Sequence, residues 1–245
     1  MKALQAFRAL APIDAKSVGR DPFLRWMILY PVLVALLVRW GVPALNARLL
    51  VVYQFDLSQY YLLIMSFVVL MTPALTGMVI GFLFLDEKDA RTLTALQVTP
   101  LTLRGYLVYR ISVPILLSFL VSFVTVLVAG LTPVEPLALL LSSASAAFLT
   151  PFYAFFLAAF ASNKVQGFAL IKGLGVLLLP PLAAYFVDTP LQWLFGIVPL
   201  YWPIKQLWLQ GASAASQGVC FVVGLCYQTV LLAWLLRRFQ IAMQR

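Results

Sequence analysis

Four stretches of this chain, 57–85, 111–134, 136–163 and 206–236, contain no Asp, Glu, Lys or Arg. Each exceeds the roughly 20 residues a helix needs to cross about 30 Å of hydrocarbon. Two further apolar stretches carry charge: 24–45 holds Arg25 and Arg39, and 165–187 holds Lys172. Long basic side chains reach the headgroups from such depths. The runs are too long and too uniformly apolar for barrel strands, which alternate over about 10 residues. The pattern predicts an all-α membrane protein with six transmembrane helices, since lipid leaves the backbone no partner outside its own helix.

The polar intervals carry the rest of the organisation. Residues 1–22 form a first segment, in which 3–11 places Leu4, Phe7 and Leu10 on one face of a helix suited to lying along a membrane surface. No apolar core followed by a small-residue cleavage site occurs there, so no cleavable leader is expected. Asp21-Pro22 reads as N-cap and first-turn proline of span one. The membrane domain is expected over 23–236, followed by a basic tail, 237–245. Between spans two and three, Asp86-Glu87-Lys88-Asp89 opens a short amphipathic helix in which Leu93 and Leu96 share a face bordered by Thr92 and Thr99. The acidic residues suit the positive N-terminal end of that helix, and Thr99-Pro100 ends it.

Composition agrees with the pattern: 63% of the 245 residues are hydrophobic and 10% are charged, too apolar for a soluble globule of this length. The distribution of charge predicts orientation. With the N-terminus inside, fourteen of the seventeen Lys and Arg fall in cytoplasmic segments, and only Arg39, Arg48 and Lys205 fall outside. Both termini are then cytoplasmic, and the net charge of +9 is this inside bias together with attraction to anionic lipid. No basic cluster accompanies a soluble domain, so nucleic acid is not an expected partner.

Candidate chemistry is sparse. There is no histidine, which removes His-based acid/base catalysis and most zinc or haem ligation; no metal site is expected. No acidic residue sits at mid-bilayer, where ion-coupled transporters keep one. No Gly-rich phosphate loop ending in Lys-Ser or Lys-Thr is present. Cys220 and Cys226 are six helical residues apart, about 9 Å along the axis, too far to bridge. The chain is therefore not expected to be an enzyme, and any driving energy comes from a partner.

Six spans, both ends inside, and an acidic start followed by Thr92-Leu93, Leu96 and Thr99-Pro100-Leu101, then Tyr106-Leu107, resemble the ABC-2 family of transporter permeases. Where members often carry Gly before the Thr-Leu pair, this chain has Arg91. The opening Arg20-Asp21-Pro22-Phe23-Leu24-Arg25-Trp26 further resembles the small fluoroquinolone-export permeases. The resemblance implies that Asp86, Glu87, Asp89, Thr92, Leu93, Leu96, Thr99 and Pro100 form a coupling helix seated in a separate ATPase subunit, which binds the ATP and magnesium. It also implies a second permease subunit, identical or not, and a prokaryotic inner membrane.

Other features are candidates of a general kind. Gly77 and Gly81 offer a close-approach face for a helix of the same or a second subunit. Ser118, Ser122 and Thr125 on span three, Ser142, Ser143 and Ser145 on span four, and Gln217 and Gln228 on span six are candidates for a polar path, although buried hydroxyls also bond back to their own helix. Residues 188–210 are too apolar for a free loop, while Pro199 and Pro203 interrupt any span. An outer re-entrant segment is expected there, with Pro199, Tyr201, Trp202 and Pro203 as an outer gate, the alternative being a simple aromatic anchor belt at the membrane interface. The reading is a permease subunit exporting an amphipathic or lipid-like molecule, export being favoured by the lack of a receptor-docking domain. The alternatives are a non-transporting membrane scaffold and a secondary transporter.

Overall fold

The computed structural model describes residues 2–89 and 103–243. All regular structure among them is helical: α1 (Lys2–Arg20), α2 (Pro22–Tyr53), α3 (Tyr61–Asp89), α4 (Leu103–Ala129), α5 (Pro136–Ala147), α6 (Leu149–Phe160), α7 (Lys164–Leu174), α8 (Leu179–Tyr185), α9 (Tyr201–Trp208) and α10 (Ala214–Met243), with short 3-10 turns at Leu57–Tyr60, Gly175–Leu178 and Pro190–Ile197. Six segments have the length and apolarity to cross a membrane: Pro22–Tyr53, Leu57–Lys88, Gly105–Ala129, Pro136–Phe160, Lys164–Tyr185 and Ala214–Phe239.

Local chemistry sets the helix ends. Asp21 adopts an extended conformation and its Oδ1 accepts from the Phe23 and Leu24 N–H groups, 2.9 and 3.4 Å away, while Pro22 supplies the preset first turn of α2. Span four breaks between α5 and α6 at Phe148, and Pro151 lacks the N–H that would have bonded back across that break. Span five is broken similarly, by Gly173 and Gly175 and then Pro180-Pro181, into α7, a 3-10 turn and α8.

The six spans are not equivalent. Spans two and four form the interior: 72% and 67% of their apolar windows are buried, against 11% for span one. α3 packs along α6 and α4, with Phe84, Tyr106, Phe155 and Phe239 in one cluster and Met65, Val69, Val126 and Ala146 in another. Spans one, three, five and six turn residues such as Leu37, Trp40, Leu116, Val176 and Val230 outward, as suits helices bathed in hydrocarbon.

Two expected boundaries move. The last span begins at Ala214, because α9 and a turn with Gly211 at φ +80° take up the start of the charge-free run. At its other end α10 continues through Met243, and Phe239 is buried against Phe84 and Phe155, so no separate tail begins at 237. α1 fills most of the 1–22 segment, and it joins the body of the bundle through Leu10 and Asp14.

Candidate functional site

At the end of the bundle where α3 finishes and α4 starts, three elements meet on one buried cation. Arg110 of α4 is 1% exposed. Its Nη1 donates to Asp14 Oδ2 of α1 at 2.8 Å, and its Nη2 donates to Glu87 Oε1 in the last turn of α3. Tyr106 and Tyr109, one turn and one residue before it, donate from their hydroxyls to Glu87 Oε2 (2.6 Å) and Asp14 Oδ2 (2.8 Å). The rings of Phe84, Tyr106 and Tyr109 stand 5.3, 5.5 and 5.8 Å from the guanidinium carbon. The planar guanidinium serves two carboxylates at once while its faces rest on aromatic rings, which a lysine does not do. Outside the cluster, Lys164 Nζ lies 2.8 Å from Asp86 Oδ1, both partly exposed, a pair worth less than about 1 kcal/mol.

This corrects the expected setting of Asp86, Glu87 and Asp89. They do not start a separate helix; they are the last turn of α3. There the helix dipole is negative and disfavours carboxylates, and Arg110 and Lys164 offset that cost. Glu87 is turned into the protein rather than presented on a docking face. Thr92, Leu93, Leu96, Thr99 and Pro100 lie outside the described residues.

Gly77 and Gly81 face inward as well. A Cβ on Gly77 would stand 2.5 Å from the Thr150 carbonyl oxygen and 2.6 Å from Tyr153 Cβ; one on Gly81 would meet Leu157 Cδ1 at 2.6 Å. The small-residue face is filled by α6 of the same chain, the first of the two alternatives, and not by a second subunit at these two positions.

The candidate path residues are buried within a single copy. Thr125 bonds to the Ser122 carbonyl (3.0 Å) and approaches Thr72 Oγ1 at 3.4 Å. Gln228 Nε2 reaches Ser145 Oγ and the Pro199 carbonyl at 3.5 and 3.4 Å, and Gln217 Nε2 donates to Glu135 Oε2 at 3.0 Å. Ser118 and Ser122 Oγ and the Gln217 and Gln228 Oε1 atoms have no partner among the described residues.

At the opposite end, the 188–210 connection folds into two short helical pieces: the 3-10 turn, packed on α8 and α9, and α9 itself, laid against α5, α3 and α10. Tyr201, Trp202 and Pro203 are buried. The Trp202 indole fits between Gly196 and Gly224, where a Cβ on either would stand 3.0 Å from a ring atom, and its Nε1 donates to the Gly196 carbonyl at 2.9 Å. Pro199 and Pro203 deprive the Phe195 and Pro199 carbonyls of the usual donor four residues on, and both find other protein partners: Val198 N–H bonds to Phe195 O at 2.9 Å, and Gln228 Nε2 reaches Pro199 O at 3.4 Å. Beside α9 an open cavity of about 810 Å³ is lined by Leu62, Tyr185, Trp193, Lys205, Trp208 and Asp188, among others. None of the expected path or gate residues lines it.

Sequence reasoning did not single out Asp14, Tyr109, Arg110 or Lys205. The signal for Arg110 was present: an arginine within the first turns of an apolar helix, with Tyr one and four residues before it. Charge counting places it in a cytoplasmic segment and does not distinguish a headgroup from a buried carboxylate as its partner.

These six spans, wrapped on a two-span interior, define a multi-pass α-helical membrane protein. A family model described as "Fluoroquinolones export permease protein Rv2686c-like" matches residues 14–236. Two proteins of Mycobacterium tuberculosis, the Fluoroquinolones export permease proteins MT2760 (strain CDC 1551 / Oshkosh) and Rv2686c (strain ATCC 25618 / H37Rv), are each 31% identical over 247 residues, covering 98% of this chain and 97% of theirs. The chain belongs to the Rv2686c-like family of export permeases, in keeping with the resemblance to ABC-2 permeases. No solved structure matches it.

Proposed function

We propose that this chain is the permease subunit of an ATP-driven exporter of the ABC-2 type, moving an amphipathic molecule such as a fluoroquinolone out of a bacterial cell. A separate ATPase subunit binds ATP and magnesium and docks at the Arg110 end, on Asp86 and residues 88–101, with Glu87 held inside the permease. Both termini are cytoplasmic, which places the α9 end outside, and a second permease subunit completes the pathway. Ser118, Ser122, Thr125, Gln217 and Gln228 contribute polar groups to that pathway in another conformation, and Pro199, Tyr201, Trp202 and Pro203 cap it.

The observation that carries this reading is the Arg110 cluster. It fixes the last turn of α3, the first turns of α4 and α1 to one another through charge-assisted bonds. The ends of α3 and α4 are thus fixed to one another, so a load applied at them passes to spans two and three. The test is reconstitution of the chain with its ATPase in inverted vesicles, reading ATP-dependent fluoroquinolone uptake. Uptake should need both proteins and should be lost in Leu96→Asp, with ATPase capture reduced. Uptake driven by an ion gradient without the ATPase would establish a secondary transporter, and wild-type capture and uptake in Leu96→Asp would remove the docking assignment.

A further inference from the structure

The cavity beside α9 has a composition that its place at the end of the bundle does not require. Part of its wall is aromatic, with Trp193 from the 3-10 turn Pro190–Ile197, Trp208 from α9, and Tyr185 and Phe186 from the end of α8, and the rest is largely polar, with Asp188, Thr189, Gln192 and Lys205. The polar edges of two of these rings are already engaged. Trp208 Nε1 donates to Ser66 Oγ at 2.8 Å, and the Tyr185 hydroxyl donates to the Gln59 carbonyl at 3.1 Å. Tyr185 and Trp208 also pack edge to face, with centroids 5.3 Å apart. The rings are therefore held in place, and what they offer a guest is apolar surface. A volume of about 810 Å³ falls within the usual size of a small-molecule site.

One cation lines this cavity. Lys205 Nζ lies 5.1 Å from the centre of the Trp193 ring and donates to Gln192 Oε1. Gln192 is fixed in turn, because its Nε2 donates to the Ala184 carbonyl at 2.8 Å. An ammonium has three donors and Gln192 accepts from one of them. The cavity also holds a carboxylate, Asp188, but Lys205 and Asp188 form no ion pair. The ammonium is thus positioned by Trp193 and Gln192, partly desolvated by aromatic walls, and not neutralised by the acid nearest to it in the lining.

We propose that this cavity is a binding site for an amphipathic aromatic monoanion, whose carboxylate pairs with Lys205 and whose ring system lies against Trp193 and Trp208. The proposal deepens the export reading and rests on it, giving the exported molecule a resting place on the α9 side of the bundle. Asp188 on the same wall opposes a second negative charge on the guest. A lipid phosphate offers the same anion to Lys205, but the rigid ring walls favour a flat aromatic body over mobile acyl chains.

The test uses 2-naphthoate and its uncharged counterpart 2-naphthamide, which share a ring system and differ in charge. Their binding to the purified full-length chain is measured by equilibrium dialysis at pH 7.5, in phosphatidylcholine nanodiscs and in nanodiscs containing phosphatidylglycerol. No ATPase is present, so a failure here is separate from a failure of ATP-dependent export. The wild-type chain should prefer naphthoate about tenfold, a ratio that a single retained charge-assisted bond accounts for. Lys205→Met should bring the ratio to about one with naphthamide binding unchanged, Lys205→Arg should keep the preference, and Trp193→Ala should weaken both ligands together. An absent preference in the wild-type chain, or one that survives in Lys205→Met, overturns the proposal. Preference present in phosphatidylcholine discs but lost in phosphatidylglycerol discs assigns the site to a lipid head group and overturns the solute reading.

Discussion

Arg110 Nη1 and Asp14 Oδ2 meet at 2.8 Å although 96 positions separate them in the chain. This contact draws α1 onto the end of the bundle and places a second carboxylate beside a cation that already holds Glu87. Two carboxylates share one nearly inaccessible guanidinium, and each of them also accepts from a tyrosine hydroxyl.

Removing the cation alone should therefore be costly. Arg110→Met leaves two partly buried carboxylates unpaired and is expected to destabilise the fold by about 3–5 kcal/mol. Adding Asp14→Asn and Glu87→Gln to that variant should recover part of the loss. Melting temperatures in detergent check this; a triple variant no more stable than Arg110→Met would show that the loss is one of packing rather than of charge.

Gly77 and Gly81 define a second expectation. Leucine at either position collides with Thr150, Tyr153 or Leu157 in the same chain, and overpacking of this kind costs about 1–3 kcal/mol or more. Gly77→Leu should lower the melting temperature and broaden the gel-filtration peak. A stable variant whose only change is weaker cross-linking between copies would return the glycines to a subunit interface.

Glu135 gives a pH dependence. Its Oε2 accepts from the Gly211 N–H and from Gln217 Nε2, both at 3.0 Å, and these bonds hold its pKa below the usual 4.5 of a glutamate. A lowered carboxylate pKa contributes stability that is present above the unfolded value and lost as pH falls through the folded value. The melting temperature should accordingly exceed that of Glu135→Gln at pH 6–7, with the difference shrinking below about pH 4.5. A difference that stays constant from pH 7 to pH 4 would exclude this linkage.

Orientation is open to direct labelling. In a chain with Cys220 and Cys226 replaced, single cysteines at Ser58 and Ser213 should react with an impermeant maleimide from outside intact cells, and a cysteine at Lys164 should not. The reverse result would invert the bundle and place the α9 cavity in the cytoplasm.

Much of the architecture follows from local chemistry. Runs of 20 or more apolar residues have no other way to satisfy their backbone in lipid than by spanning it as helices, so six spans were legible. Asp21-Pro22 marks the start of span one because an extended acidic cap and a preset proline are properties of two adjacent residues. The interruption of 188–210 agrees with Pro199, which stands just before α9, whereas Pro203 sits in the first turn of α9, where a missing donor is tolerated. Arrangement was not legible in this way. Spans one and two are similarly apolar, yet one lies on the outside and the other at the centre, because lipid tails are as apolar as leucine and hydrophobicity no longer separates inside from outside. The partner of Gly77 was equally hidden: a glycine records that something comes close, and only the packing of α6 says what. Arg110 and Lys205 show the same limit for charge. Their sequence positions fixed which end of the bundle they occupy, while burial against Asp14 and Glu87 in one case, and an open aromatic cavity in the other, depend on contacts between residues far apart in the chain, which only the folded arrangement of the helices creates.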